Sequence, residues 1–251
     1  MNQNRISTAG FKDKGTKLYK YVRLSQFMSM VETSSIPITK VKSWEDTWEM
    51  PITRLIKKSD YDFLRGVPKT CHMIYGQCWS LNPESDAMWR IYSRNHEGVM
   101  IGTSVSKLHT LADITNSMLA PVSYYSVLAE GLKEVFVTNP EYNNAAVAVG
   151  VSDYVPALVS AFLKRTAFEH EKEMRLVTVR SKECLRRRYS ETGNYIKIEF
   201  APTEFLESIT IDPRAEDWYV KMIRHYCDKS GFPFAPQKSK LYETEGDLDQ
   251  T

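Results

Sequence analysis

The chain has 251 residues, of which 42% are apolar and 25% charged, and its formal net charge is +2. This composition is typical of a folded globular protein, and no apolar run approaches the 18 residues of a membrane span, so no membrane partner is expected. The polar N-terminus argues against a secretion signal, and four scattered cysteines favour a reducing, cytoplasmic compartment.

The first third of the chain alternates short strands with amphipathic helices. Residues 1–16 are polar and predicted to be flexible. A strand is predicted over 17–23, and apolar residues at helical spacing then predict a helix from 24 to about 32. Residues 36–38 form an extended segment, and a helix is predicted over 54–63.

The middle of the chain contains three predicted strands and two helical regions. A strand over 75–80 is followed by a helix from Ser85, its N-cap, to about residue 95. Further strands are predicted over 98–102 and 121–125. Residues 126–167 are predicted to be mostly helical, with interruptions at the prolines.

The last third of the chain completes the predicted domain. Strands are expected over 168–177, 195–200 and 209–212, and a helix from about 216 to 229. Residues 237–251 are rich in acids and are expected to form a disordered tail. Because the elements show no regular βαβ rhythm, the sequence predicts one α+β domain over 17–236, with a mixed, largely antiparallel sheet and a mostly helical insertion.

The segment 168–177 is the most informative part of the chain. As a strand, it places Glu171, Glu173 and Arg175 on one face and Met174 and Leu176 on the other. Such a face is either an exposed ladder of ion pairs or the lining of a cleft. In a cleft, one carboxylate can stabilise an oxocarbenium-like sugar while the other orients or deprotonates the acceptor.

Other polar and aromatic residues are also candidates for binding. Nine Lys or Arg residues against four Glu occupy residues 164–188, a run that contacts phosphates or forms a solvated face. Tyr19, Tyr21 and Arg23 alternate on one strand, where they can bind a nucleotide or simply be half-buried. Trp79 suits the core better than a stacking platform.

Several kinds of catalytic site are disfavoured by missing motifs. The chain has neither a G-x-G-x-x-G motif nor a P-loop, and Met174 stands where a zincin helix needs its second histidine. Cys71 and Cys78 lack a second pair of metal ligands. A metal-dependent nuclease strand needs an acid where His170 stands. No metal cofactor is therefore expected.

The order of several short motifs resembles a bacterial protein family of unknown function. That family combines a Leu-Tyr-Lys-Tyr strand, a Cys-x-Ser strand, a Met-Trp-x-x-Tyr helix with a His-x-Gly turn, and a Glu-x-Glu-x-Arg strand. The matching segments of this chain are residues 18–21, 78–80, 88–92, 96–98 and 171–175. Glu45-Asp46-Thr47 replaces the asparagine-aspartate-proline turn of the family.

The same order of strands more distantly resembles ADP-ribosyltransferases, which use NAD as a substrate. The resemblance implies a split sheet in which Glu173 holds the NAD ribose and stabilises the oxocarbenium ion, while Glu171 activates the acceptor. It also implies that Ser80 and the first-strand residues position the nicotinamide ribose, with cofactor-binding positions assigned to Tyr19, Tyr21, Arg23, Trp79 and Ser80.

Two functional hypotheses follow. The first is an NAD-dependent ADP-ribosyltransferase-like enzyme acting on RNA, DNA or protein, as toxins and phage-defence effectors do, with a possible neutralising partner protein. The basic residues assigned to the acceptor are Arg175, Arg186, Arg187 and Arg188. The second hypothesis is a non-catalytic module that binds nucleic acid or a partner protein.

Overall fold

The computed structural model describes residues 6–9, 13–46, 48–52, 71–108, 111, 117–148, 155–180 and 194–243. The chain divides into two compact units. Unit 1 comprises residues 1–14, 36–80 and 111–199, and unit 2 comprises residues 15–35, 81–110 and 200–251. Each unit is built from three separate stretches of sequence, so no linker in the sequence marks the division.

The strands agree with most of the sequence predictions to within one or two residues. In chain order they are β1 (Ile6–Thr8), β2 (Lys17–Arg23), β3 (Ser35–Lys40), β4 (Ile74–Ser80), β5 (Gly98–Ser104), β6 (Ser117–Pro121), β7 (Ser123–Tyr125), β8 (Leu163–Arg165), β9 (Glu173–Val179), β10 (Tyr195–Glu199), β11 (Ser208–Ile211) and β12 (Gln237–Lys238).

The α-helices are mostly short, and the helices predicted over 24–32 and 216–229 are confirmed. They are α1 (Leu24–Glu32), α2 (Asp86–Tyr92), α3 (Val105–Leu108), α4 (Leu128–Lys133), α5 (Pro140–Ala148), α6 (Val155–Ser160), α7 (Pro202–Phe205) and α8 (Asp217–Lys229). A π-helical turn spans Glu134–Thr138, and 3₁₀ turns span Val41–Ser43, Cys71–Met73 and Thr166–Glu171. The helix predicted over 54–63 lies outside the described residues.

The sheet of unit 1 is centred on β9. This strand pairs antiparallel with β4 on one side and with β6 on the other, and β1 adds to β6 in parallel. Every residue of β9 is buried. A strand buried on both faces requires apolar or fully paired side chains, which makes the charged residues at the start of β9 the feature that needs explanation.

The sheet of unit 2 is built around β5. Strands β2 and β11 both pair antiparallel with β5, and β12 pairs in parallel with β11. In α1, Phe27 and Met30 are buried. The predicted combination of helices with a largely antiparallel sheet is therefore confirmed in both units.

Two segments differ from their predicted structure. The strand predicted over 168–177 begins only at Glu173, because Thr166–Glu171 forms a 3₁₀ turn that ends in a left-handed residue, Lys172, at φ 41°. Part of the segment predicted as a disordered tail is ordered. Strand β12 begins at Gln237, and Ser239 donates its backbone N–H to the carbonyl of Ile211.

Among the described residues, no helix combines the length and apolar character needed to cross a membrane.

Trp44 packs directly against β4 at Gly76, where a Cβ would require the ring to shift. A Cβ added to Gly76 would lie 2.8 Å from Cζ2 of Trp44, and the indole N–H of Trp44 donates a 2.7 Å hydrogen bond to Thr39. The contact between the Gly76 backbone and the Trp44 ring thus fixes the ring on the sheet.

We expect Gly76→Ala to lower the free energy of unfolding by about 1–3 kcal/mol, because the added methyl group overlaps the ring. Urea unfolding measures the change. In a Trp44→Leu background the same substitution should cost much less, since the overlapping ring atoms are gone. Equal costs in both backgrounds would contradict the packing described.

Candidate functional site

Five charged side chains are buried together at the start of β9 in unit 1. We call this group the acid–base cluster; its members are Glu49, Lys164, Glu171, Glu173 and Arg175. The exposed fraction of Glu171 is 5%, that of Glu173 is 6%, and that of Arg175 is 0%. Charges at this depth persist only where they are paired, which the geometry of the cluster satisfies.

Lys164 joins the two glutamates of the cluster. Its Nζ lies 2.7 Å from Oε2 of Glu171 and 2.9 Å from Oε1 of Glu173. The same ammonium stands 4.8 Å from the centre of the Phe168 ring. A single cation therefore holds both carboxylates in one place.

Arg175 forms the other side of the cluster. Its Nε donates to Glu173 at 2.7 Å, and its two terminal nitrogens donate to the two oxygens of Glu49 at 2.7 and 2.9 Å. The guanidinium also donates to the carbonyl of Ala161 and lies 4.8 Å from the ring of Trp44. This bidentate geometry is the strongest that a guanidinium and a carboxylate can form.

The local backbone explains why Glu171 and Glu173 converge. Glu171 ends the 3₁₀ turn, Lys172 is left-handed, and Glu173 opens β9. The Ser80 hydroxyl donates to the carbonyl of Glu171 at 2.7 Å, and the N–H of Glu173 donates to the Tyr124 hydroxyl at 2.8 Å. The two carboxylates are thus positioned by a turn held at both ends.

The cluster drives the pKa values of the two glutamates in opposite directions. Burial raises the pKa of Glu171 to about 7, and the attraction of Lys164 only partly opposes this, while the negative charge of Glu173 adds to it. Burial also acts on Glu173, but the positive charges of Arg175 and Lys164 outweigh it and lower its pKa to about 2. A pair of acids separated in this way is typical of acid–base chemistry.

The charge count of the acid–base cluster also favours one protonated carboxyl. Three carboxylates and two cations make a net charge of −1 if every group is ionised. Burial also raises the pKa of Glu49, although the charge of Arg175 opposes this shift. One proton on a carboxyl neutralises the cluster, and Glu171, whose pKa is raised to about 7, is the group that takes it up.

Two of the predicted cofactor-binding residues, Ser80 and Trp79, belong to unit 1. Ser80 lies next to Glu171 and Glu173, whereas Trp79 is buried in the core. Ser80 pairs with Glu173 across the β4–β9 ladder. Trp79 is 2% exposed and its indole N–H donates to Gln77 at 3.0 Å. Trp79 is therefore a core residue and presents no surface on which a ligand could stack.

Arg175 cannot serve as the acceptor-binding residue that we predicted. Its side chain is fully buried, and all three nitrogens of the guanidinium are occupied within unit 1. It positions Glu173 instead. Arg186, Arg187 and Arg188 lie outside the described residues.

The three predicted first-strand residues belong to unit 2. Tyr19 is half-buried. The hydroxyl of Tyr21 accepts the N–H of Ser85 at 3.0 Å, and its ring packs edge-on against Trp89, with the ring centroids 4.8 Å apart. Arg23 is exposed at the end of β2.

Sequence reasoning missed Glu49 and Lys164. Glu49 is 126 residues from its partner Arg175, and only the fold brings them together. Lys164 stands in a region that we predicted to be helical, where it forms part of β8. The basic run over residues 164–188 contained Lys164, but its partners were not evident from charge alone.

Comparison with known proteins gives one family match. Residues 88–176 match a family described as a protein of unknown function (DUF2971), and this span includes Lys164, Glu171, Glu173 and Arg175. The match supports the expected similarity to an uncharacterised domain family. No curated protein matches the chain. Within the described part of the chain, no group of three His, Cys, Asp or Glu residues could hold a metal ion.

The raised pKa of Glu171 predicts a pH-dependent stability. The folded protein keeps a proton that the unfolded chain loses between about pH 4.5 and 7, so this contribution to stability is present at pH 4.5 and is lost as the pH rises through 7. We expect the free energy of unfolding of the wild type, relative to Glu171→Gln, to fall by about 1–3 kcal/mol over this window.

Urea unfolding of both proteins at several values between pH 5 and pH 8 measures this difference. Glu207→Gln is the matched control, because Glu207 pairs with exposed Lys17 and lies outside the cluster. Parallel curves for the wild type and Glu171→Gln would show that Glu171 holds no proton in the folded state.

Proposed function

We propose that unit 1 carries an NAD-dependent ADP-ribosyltransferase-like activity that modifies a macromolecule, either nucleic acid or protein. The observation that carries the proposal is the Glu171–Glu173 pair. The two carboxyls share one lysine, and their pKa values lie on opposite sides of the ordinary value for glutamate. In a glycosyl transfer, one carboxylate of such a pair can stabilise the positive charge on the sugar while the other accepts the proton of the acceptor.

Glu173 is suited to stabilising positive charge. It is ionised at neutral pH, and Arg175 and the backbone of β9 hold it rigidly. When the bond between ribose C1′ and the nicotinamide nitrogen breaks, the electron pair leaves with nicotinamide, which departs neutral. The positive charge left on the sugar is the charge that Glu173 would stabilise.

Glu171 is suited to proton transfer. With a pKa of about 7, it exists in both forms near neutral pH. As an O–H or N–H group of the acceptor attacks C1′, its proton would pass to ionised Glu171 and then to solvent. Ser80, through its hydrogen bond to the Glu171 carbonyl, acts as a positioning residue.

The Lys164 ammonium occupies the position between the two carboxylates where a substrate would bind. Its nitrogen lies within 2.9 Å of both carboxylates, where a cationic sugar would be stabilised. Replacing this ammonium by the ribosyl cation keeps the charge balance of the cluster unchanged. The proposed reaction therefore includes a movement of Lys164 away from the pair.

A second candidate function is a non-catalytic binding module. The observation in its favour is that every charged group of the acid–base cluster is already paired and nearly inaccessible. In this second function the buried ion cluster would serve to fix the conformation of unit 1. Binding would then use other surfaces of the chain, with nucleic acid or protein as the partner.

Incubation with labelled NAD and a cell lysate separates the two functions. We expect the wild type to transfer label, and Glu173→Gln to reduce transfer by about 100-fold or more, since it removes the charge that opposes the oxocarbenium ion. Glu207→Gln should retain activity. Nuclease or protease treatment of the product identifies the acceptor class.

Circular dichroism of each variant shows that loss of activity is not loss of folding. If the folded wild type neither transfers label nor releases nicotinamide, the enzymatic proposal fails and the binding module becomes the better account.

The pH dependence of transfer tests the role of Glu171 separately. We expect the rate to rise with pH and level off above about pH 7, because Glu171 accepts a proton only when ionised. Glu171→Gln should lower the rate and remove this dependence. An unchanged pH profile in Glu171→Gln would exclude Glu171 as the base.

A further inference from the structure

Unit 2 contains a cavity of about 450 Å³ beside the first turn of α1. We call it the Arg23–Arg94 pocket. Its lining comes from the end of β2, the start of α1 and the turn between α2 and β5, and it includes Arg23, Ser25, Tyr92, Arg94 and Glu97. Its volume is within the range of small-ligand sites.

The turn that carries Arg94 and Glu97 is held in one conformation. The Ser93 hydroxyl accepts the N–H of Gly98 at 2.8 Å, and the Tyr219 hydroxyl donates to the carbonyl of Glu97 at 2.6 Å. His96 has a left-handed backbone at φ 60°. Side chains on such a turn are presented by a fixed backbone, as a binding site requires.

The two arginines of the pocket differ from Arg90 and Arg214 of unit 2. Arg90 pairs with Asp86 and Arg214 pairs with Asp212, each at 2.8 Å. Within the described part of the chain, neither Arg23 nor Arg94 pairs with a carboxylate.

The lining as a whole keeps an excess of positive charge. With Glu97 included, the side chains of the lining carry a net charge of +1, from two arginines and one glutamate. Helix α1 has nine residues, and its first turn contains no acid. The N-terminus of this helix therefore adds partial positive charge to the pocket.

The aromatic side of the pocket is provided by Tyr92. Its ring is 38% exposed and stacks against Tyr21, with 6.3 Å between centroids and 25° between planes. The ring provides a flat apolar surface in the pocket that Arg23 and Arg94 also line. Together these features match the separate parts of a nucleotide.

We propose that the Arg23–Arg94 pocket binds a nucleotide that carries a terminal phosphate. Arg23 and Arg94 contact the phosphate, Tyr92 stacks on the base, and the Glu97 carboxylate accepts a hydrogen bond from a ribose hydroxyl. The site lies entirely within unit 2. It does not depend on the reaction proposed for unit 1, and either proposal can fail without the other.

Isothermal titration of the full chain with adenosine 5′-monophosphate tests the site. Arg23→Gln and Arg94→Gln should each raise the dissociation constant by at least about tenfold, because each loses a charge-assisted hydrogen bond. Arg90→Gln, an arginine on α2 outside the pocket, is the matched control and should leave the constant unchanged. Circular dichroism confirms that each variant is folded.

Further ligands identify the source of the phosphate. Tyr92→Leu should weaken binding of the nucleotide but not of inorganic phosphate. A 5′-phosphorylated RNA oligonucleotide that binds more tightly than the free nucleotide, with the same dependence on Arg23 and Arg94, would make the 5′ end of RNA the natural ligand. The proposal is overturned if neither nucleotide binds, if inorganic phosphate binds as tightly as both, or if the arginine variants behave like Arg90→Gln.

Discussion

The acid–base cluster of unit 1 is the interaction on which its site depends. Three carboxylates and two cations are taken out of water at the start of a strand that is buried along its whole length. Such burial is tolerated only if each charge has partners and the sum is close to neutral. That requirement explains the bidentate contact of Arg175 with Glu49, the bridge made by Lys164, and the proton retained on Glu171.

The same requirement links structure to the proposed chemistry. A buried pair of glutamates that shares one cation cannot ionise symmetrically, so one carboxyl becomes a permanent anion and the other titrates near neutral pH. The charged side chains of the pocket in unit 2 are arranged differently. In the Arg23–Arg94 pocket, the two exposed guanidinium groups have no acidic partner among the residues that the structure describes. The charges of the acid–base cluster nearly cancel one another, whereas the lining of the Arg23–Arg94 pocket has a net positive charge.

The sequence predicted the elements better than their assembly. Local sequence patterns located β2, α1, β5 and α8. The alternation of side chains over 168–177 placed Glu171 in a strand, and this prediction failed because the left-handed backbone at Lys172 is not a property of residue type. Glu171, Glu173 and Arg175 were recognised as a group, but Glu49 and Lys164 were not. Their partnership arises from contacts between distant segments, as does the division into two units.

Titration of the protein labelled with ¹³C at the glutamate carboxyl groups, followed by NMR, tests the central claim most directly. Glu171→Gln and Glu173→Gln assign the two resonances. The account predicts that one carboxyl titrates near pH 7 and that the other stays ionised down to about pH 2, or until the protein unfolds. If both carboxyls titrate together near pH 4.5, the ordinary value for glutamate, the buried cluster does not exist in solution and the proposed roles of both residues fall with it.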